Sequence, residues 1–272
     1  MRNFFVILFI LIFHTSLQAA QPFQTVGAKA HSMGGVSLLP ADFWSVFNNQ
    51  AGLASQTKWS FGFAYETNLN LSQELSVKSG AFILPTSSGT FGLTLNYYGY
   101  QAYNEQKVGL AYGKKLGQKI AVGIQLDYLS IFIGNDNGRA NAFTFEIGIL
   151  AEITDYLTVA SHLYNPYMVK IGSVNPESLP AILKFALAYK VDKDLLILAE
   201  YEQDNLSQGI VKLGMEYHLI EQFFVRGGLS SNPNLLSFGL GFKVNGFNID
   251  IGSNYHQTLG FSPKASMYYD LK

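Results

Sequence analysis

From Trp59 onward, apolar and polar side chains alternate with a period of two. In "WSFGFAYE", Trp59, Phe61, Phe63 and Tyr65 stand against Ser60, Gly62, Ala64 and Glu66. In "TFGLTLNYYG", Phe91, Leu93, Leu95 and Tyr97 stand against Gly92, Thr94 and Asn96. In "KIAVGIQLDY", Ile120, Val122, Ile124, Leu126 and Tyr128 alternate with Ala121, Gly123, Gln125 and Asp127. Successive side chains of a strand point to opposite faces, so this period predicts strands with one apolar and one mixed face. Fourteen segments carry it: 59–68, 75–85, 90–99, 105–115, 119–132, 140–153, 157–165, 180–191, 195–204, 208–219, 223–230, 234–244, 247–254 and 263–271. Most are about 10 residues long, the length of a tilted strand that crosses a bilayer.

The connections sort by length. Every even-numbered one is short: "TSSG", "LGQ", "TDY", "DKD", "IEQ" and "NG". Most odd-numbered ones are longer, among them 133–139 and the Pro-bearing 166–179, a surface loop that is either passive or a binding segment. Short turns at one end and longer loops at the other are the habit of an outer-membrane barrel with both termini in the periplasm. A soluble sandwich has no reason to sort its loops in this way.

The second face changes the picture further. It mixes Gly and Ala with Lys78, Lys107, Asp127, Glu146, Lys184, Glu200, Glu202, Lys212, Glu216, Arg226, Lys243 and Asp250. Lipid outside and a polar lumen of both charge signs inside would produce that alternation. On this reading Leu93, Ile124 and Leu240 face lipid, and inner neighbours such as Thr94 and Gln125 tolerate a charge. With cations beside them, Glu200 and Glu202 are expected to join an internal ion-pair network rather than act as a hydrolytic carboxylate pair. His162 and His218 are expected to line the lumen as polar groups. Ser/His/Asp sets cannot be assembled and no G-x-S-x-G occurs, so no enzyme is expected. Neither a metal nor a cofactor is implied.

Composition is consistent with this. Charged residues are 14% and hydrophobic ones 48%, and the formal charge of −1 gives no basic field for nucleic acid. The absence of Cys excludes disulfides, thiolate metal sites and a Cys-linked lipid anchor. At the start, "MRNFFVILFILIFHTSLQAA" has one Arg, an apolar run from Phe4 to Phe13 and a small-residue end, the layout of a secretory signal. That run is shorter than the roughly 20 residues of a spanning helix. Residues 1–20 are therefore expected to be a signal peptide, 21–58 a segment outside the wall, and 59–272 the barrel, placed in the outer membrane of a Gram-negative bacterium with its lipid as partner.

The segment 21–58 contains "GAKAHSMGGVSLLPADFWSVFNNQAGLA". It is no phosphate loop, since no Lys follows Gly34 or Gly35. A barrel of about 8 strands is just filled by its own side chains, so a fourteen-stranded one needs something inside. This segment is expected to be that plug. Asp42, Asn48 and Asn49 would bond wall residues such as Lys107 or Arg226, while Phe43, Trp44 and Phe47 pack on wall Gly and Ala.

The same stretch resembles the N-terminal signature of the PorV/PorQ-like proteins, themselves similar to the outer-membrane long-chain fatty-acid transporters, with 14 strands and an N-terminal hatch. Gly27, Ala28, Met33, Gly34, Ala41, Asp42, Asn49, Ala51, Gly52 and Leu53 match, while Lys29 stands for the usual Arg and Gln50 for the usual Pro. The resemblance is motif-level over 27–54 and pattern-level elsewhere. It implies work with a type IX secretion system, with secretion components or exported proteins as partners. The alternative is passage of a hydrophobic small molecule such as a fatty acid.

Overall fold

The computed structural model describes residues 25–67, 75–134, 138–172 and 176–271; the expected signal peptide lies outside the described residues. Among the described residues sixteen strands follow one another: β1 Ser60–Glu66, β2 Val77–Thr86, β3 Gly89–Tyr100, β4 Tyr103–Lys115, β5 Ile120–Ile133, β6 Gly138–Glu152, β7 Leu157–Tyr164, β8 Lys170–Ile171, β9 Glu177–Ser178, β10 Ile182–Lys190, β11 Leu195–Asp204, β12 Ile210–Ile220, β13 Phe223–Ser231, β14 Asn234–Val244, β15 Phe247–His256 and β16 Gly260–Asp270. All but β8 and β9 form one closed antiparallel barrel, in which β7 pairs with β10 and β1 meets β16 from Ser60↔Asp270 to Glu66↔Lys264. Closure satisfies every strand edge within the wall, which is the condition for sheet to sit in hydrocarbon.

The two faces separate as the alternation demands. Leu93, Ile124 and Leu240 are 44%, 44% and 41% exposed on the outside, whereas Thr94 and Gln125 are completely buried inside. Leu93→Arg is expected to cost about 2–4 kcal/mol if it lies near the midplane. Folding titrations into lipid vesicles would show this, and an unchanged midpoint would place Leu93 away from lipid. The expected tolerance of Thr94 and Gln125 does not survive the structure. Both are enclosed, with Thr94 donating to the Gly109 carbonyl (3.4 Å) and Gln125 to Asp127 (2.8 Å), so an added Arg would have no room.

Two further expectations change. Lys78 lies on the outer face, because Ser79 beside it points inward to bond Asn96 (2.7 Å); its ammonium sits 5.5 Å from the centre of the Tyr97 ring. A long stem reaching an interfacial aromatic is how lysine tolerates the lipid side. The loop sorting is also weaker than expected. Strand ladders run on past the polar residues at their ends, so only 101–102, 232–233 and 257–259 separate β3 from β4, β13 from β14 and β15 from β16. The length difference rests on 67–76 and 165–181.

The described residues of the connection 165–181 fold over the inner wall. Ile171 and Leu179 bury themselves against Leu129 of β5 and Ala142 of β6. Asn165 is the fastening. Its amide donates to the carbonyls of Leu179 (3.0 Å) and Pro180 (3.2 Å), and its oxygen accepts from Thr144 Oγ1 (2.8 Å) and Val169 N (3.1 Å).

Candidate functional site: the lumen and the segment seated in it

Residues 25–58 occupy the barrel interior as two short helices, α1 Ala28–Ser32 and α2 Ser45–Asn48, and a 3₁₀ turn at Gln50–Ser55. Helices this short have little stability of their own, so packing must hold them. Met33, Val36, Leu38 and Leu39 pack on Ala160, Ala186, Ala188 and Leu198 of the wall. Phe43, Trp44, Val46, Phe47 and Leu53 pack on Ala64, Ile83 and Ala111. The wall side chains here are small because the segment comes close. At Gly62 a Cβ would lie 2.6 Å from Phe43 Cε1, and at Gly214 it would lie 2.7 Å from Met33 Cβ. Gly34 answers from the other side: its φ is +72°, and a Cβ there would strike the Leu229 and Leu213 carbonyls.

The charged contacts between segment and wall follow one scheme, beside neutral ones such as Ala28 N donating to Ser266 Oγ (3.0 Å). Four wall carboxylates each accept from a donor in the segment while pairing with a wall cation. Glu146 takes Gln50 Nε2 (2.8 Å) and is paired with Lys107. Glu200 takes the Ser37 and Leu38 amides (2.8 and 3.0 Å) and Lys212 (2.9 Å). Glu216 takes Lys29 (3.5 Å) and Arg226 (2.6 Å). Glu66 takes His31 (2.9 Å) and Lys264 (2.9 Å). Around these, Asp127 lies 3.7 Å from Lys107, His162 lies 3.0 Å from Glu146, Glu202 bonds Lys184 and Lys212, and Arg226 reaches Asp250 at 2.7 Å. Charged hydrogen bonds with both signs present are what let such groups stay in a closed interior. Lys29 illustrates the balance: burial works against its charge, yet Glu216 and Asp42 hold the ammonium above the ordinary lysine value.

The hatch residues singled out from sequence lie in this interior, and three of them, Asp42, Asn48 and Asn49, have other partners than those expected. Asp42 pairs with Lys29 at 3.2 Å and accepts from Trp44 N at 2.8 Å. Asn48 bonds Val26 in both directions at 2.9 Å, and Asn49 accepts from Ala51 N at 3.3 Å. Asp42, Asn48 and Asn49 thus hold the segment's own shape rather than reaching Lys107 or Arg226. The segment's backbone is too irregular to satisfy itself, and short polar side chains close to it are the nearest partners. Phe43 stacks on Tyr268 (4.9 Å, 9°), Trp44 meets Phe43 edge-on (5.0 Å), and Phe47 lies 6.1 Å from Trp44. Trp44 also lies over Gly27, and Gly52 faces Ser45. The wall-reaching groups Lys29, His31, Ser37 and Gln50 were not legible in advance. Only the departures at 29 and 50 from the resembled motif marked two of them.

His31 adds a pH dependence. Burial lowers its pKa below the ordinary imidazole value of 6.5, against the pull of Glu66. The seated segment therefore holds a neutral ring, while a released one takes up a proton as pH falls through about 6.5. Seating is expected to weaken towards acid, read as faster protease cleavage of residues 25–58 at pH 5 than at pH 7.5. His31→Gln should flatten that dependence; an unaltered slope would assign it elsewhere.

These features define a class: a closed fourteen-stranded transmembrane barrel whose lumen holds its own N-terminal segment. No family model and no curated protein matches the chain. Solved structures share the fold. The CymD monoaromatic hydrocarbon channel aligns with a TM-score of 0.71 at 12% identity, over 93% of this chain and 99% of that one. The Pseudomonas putida toluene transporter TodX aligns at 0.66 and 11%, over 90% and 98%. A Pseudomonas aeruginosa FadL homologue aligns at 0.65 and 11%, over 93% and 99%. The fold is the one these three solved structures share.

Proposed function

We propose that this protein is an outer-membrane transporter that passes small hydrophobic molecules, and that residues 25–58 form its hatch. The observation that carries the reading is the seated segment: a barrel wide enough to conduct is filled by a piece of chain held on four carboxylate bridges, which can be loosened without breaking the wall. The shared fold with a monoaromatic hydrocarbon channel and a toluene transporter supports the substrate class. The resemblance over residues 27–54 suggests secretion assistance instead. The tight connections at 101–102, 232–233 and 257–259 leave little surface for a large cargo, which weighs against that role. Uptake of toluene into proteoliposomes, with and without the protein, tests the proposal. Equal uptake, together with secretion components co-purifying from native membranes, would overturn it.

A further inference from the structure

A vestibule of about 680 Å³ opens between the hatch and the wall at the barrel end that carries the turns 191–194 and 221–222. One side is apolar: Pro40 and Ala41 of the hatch, Leu196 of β11, Phe224 of β13 and the Tyr268 ring. Most of the remaining lining is charged, with five Lys or Arg against five Asp or Glu beside His218 and Asn248, so the chamber offers donors and acceptors with its formal charges balanced. The innermost charges are committed, since Arg226 holds Glu216 and Asp250 at 2.6 and 2.7 Å. A solute bearing a full charge would have to break such pairs, which leaves a buried charge uncompensated. Asn248, which also lines the chamber, keeps its side-chain Nδ2 buried with no hydrogen-bond partner. A buried amide donor without an acceptor is costly, and a bound acceptor would relieve it.

Lys29 stands between this chamber and the hatch interior. It bridges Asp42 (3.2 Å) and Glu216 (3.5 Å). When it swings aside neither carboxylate is orphaned, because Glu216 keeps Arg226 and Asp42 keeps the Trp44 amide. Lys107 has no such freedom, as it serves both Asp127 and Glu146. Lys29 is thus the charged group whose movement disturbs the seat least.

We propose that the vestibule is a binding site on the transport route for a small uncharged amphiphile, an apolar body with one hydroxyl or carbonyl, which passes Lys29 and presents its oxygen to Asn248. The word route rests on the transporter reading above; the site itself does not. Because the chain has no Cys, Ala41→Cys supplies a single thiol in the chamber wall. Purified Ala41→Cys, its folding verified by heat-modifiable gel migration, is expected to react with a charged water-soluble thiol reagent. Benzyl alcohol at roughly ten times its dissociation constant should slow that reaction about tenfold, since only the free protein reacts. Toluene, lacking the oxygen, and benzoate, bearing a charge, should leave the rate unchanged. Adding Asn248→Leu should abolish the benzyl alcohol effect, read as the ratio of rates with and without the alcohol in the same variant, and Leu196→Cys, on the wall part of the same apolar side, should give the same readings. An unreactive thiol at both positions, equal protection by toluene or benzoate, or protection that survives Asn248→Leu would each overturn the proposal. These readings need no transport, so loss of toluene uptake in proteoliposomes would sink the transporter reading and leave the site standing.

Discussion

Replacing Lys107 by Met is expected to destabilise the folded barrel by about 3–5 kcal/mol, the scale on which removing one member of a buried ion pair costs. Lys107 is almost fully enclosed between Asp127 and Glu146, and its ammonium also lies 5.0 Å from the centre of the Tyr164 ring. Without it, Glu146 retains Gln50 and His162, whereas Asp127 keeps Gln125 at 2.8 Å and loses its cation. The cost therefore falls mainly on Asp127, and Lys107→Met combined with Asp127→Asn should recover a large part of it. Urea titration of vesicle-inserted protein measures both. A single variant as stable as the parent would mean that water reaches this cluster freely, contrary to its burial.

Deleting residues 27–54 is expected to leave a barrel that still folds and to turn a closed lumen into a conducting one. The wall ladder closes through β1 and β16 without any contribution from the segment. What the deletion removes is the filling. Glycines such as Gly62 and Gly214 would face open space, and Glu146, Glu200, Glu216 and Glu66 would exchange their hatch donors for water while keeping Lys107, Lys212, Arg226 and Lys264. About 8 strands are filled by their own side chains and 16 to 18 enclose an aqueous channel, so an emptied lumen of fourteen should pass ions. Planar-bilayer conductance of parent and deletion, recorded side by side, decides the matter. Equal conductance would show that the segment does not seal the barrel.

The wall is legible in the chain alone, because a strand between lipid and lumen imposes period two on its side chains and leaves no local alternative. Phe61, Leu93, Ile124 and Leu240 needed no partner to declare their face. The inward charges Lys107, Glu146, Glu200 and Arg226 were legible for the same reason, and Lys78 was not, since at a strand end a long cation can reach water from either side. Pairing was beyond the sequence. Which carboxylate meets which cation depends on register across strands such as β4, β5 and β6, whose members lie tens of residues apart.

The glycine-rich segment 27–54 shows the division most clearly. The lack of a Lys after Gly34 or Gly35 excluded a phosphate loop, and the width of a fourteen-stranded barrel suggested a filling. Its partners were decided only by tertiary structure. Asp42, Asn48 and Asn49 turned inward to satisfy an irregular backbone, while Lys29, His31 and Gln50 and the amides of Ser37 and Leu38 reached the wall. A segment without a regular period carries no face in its sequence. Its donors find acceptors only where the closed wall brings Glu66, Glu146, Glu200 and Glu216 around it.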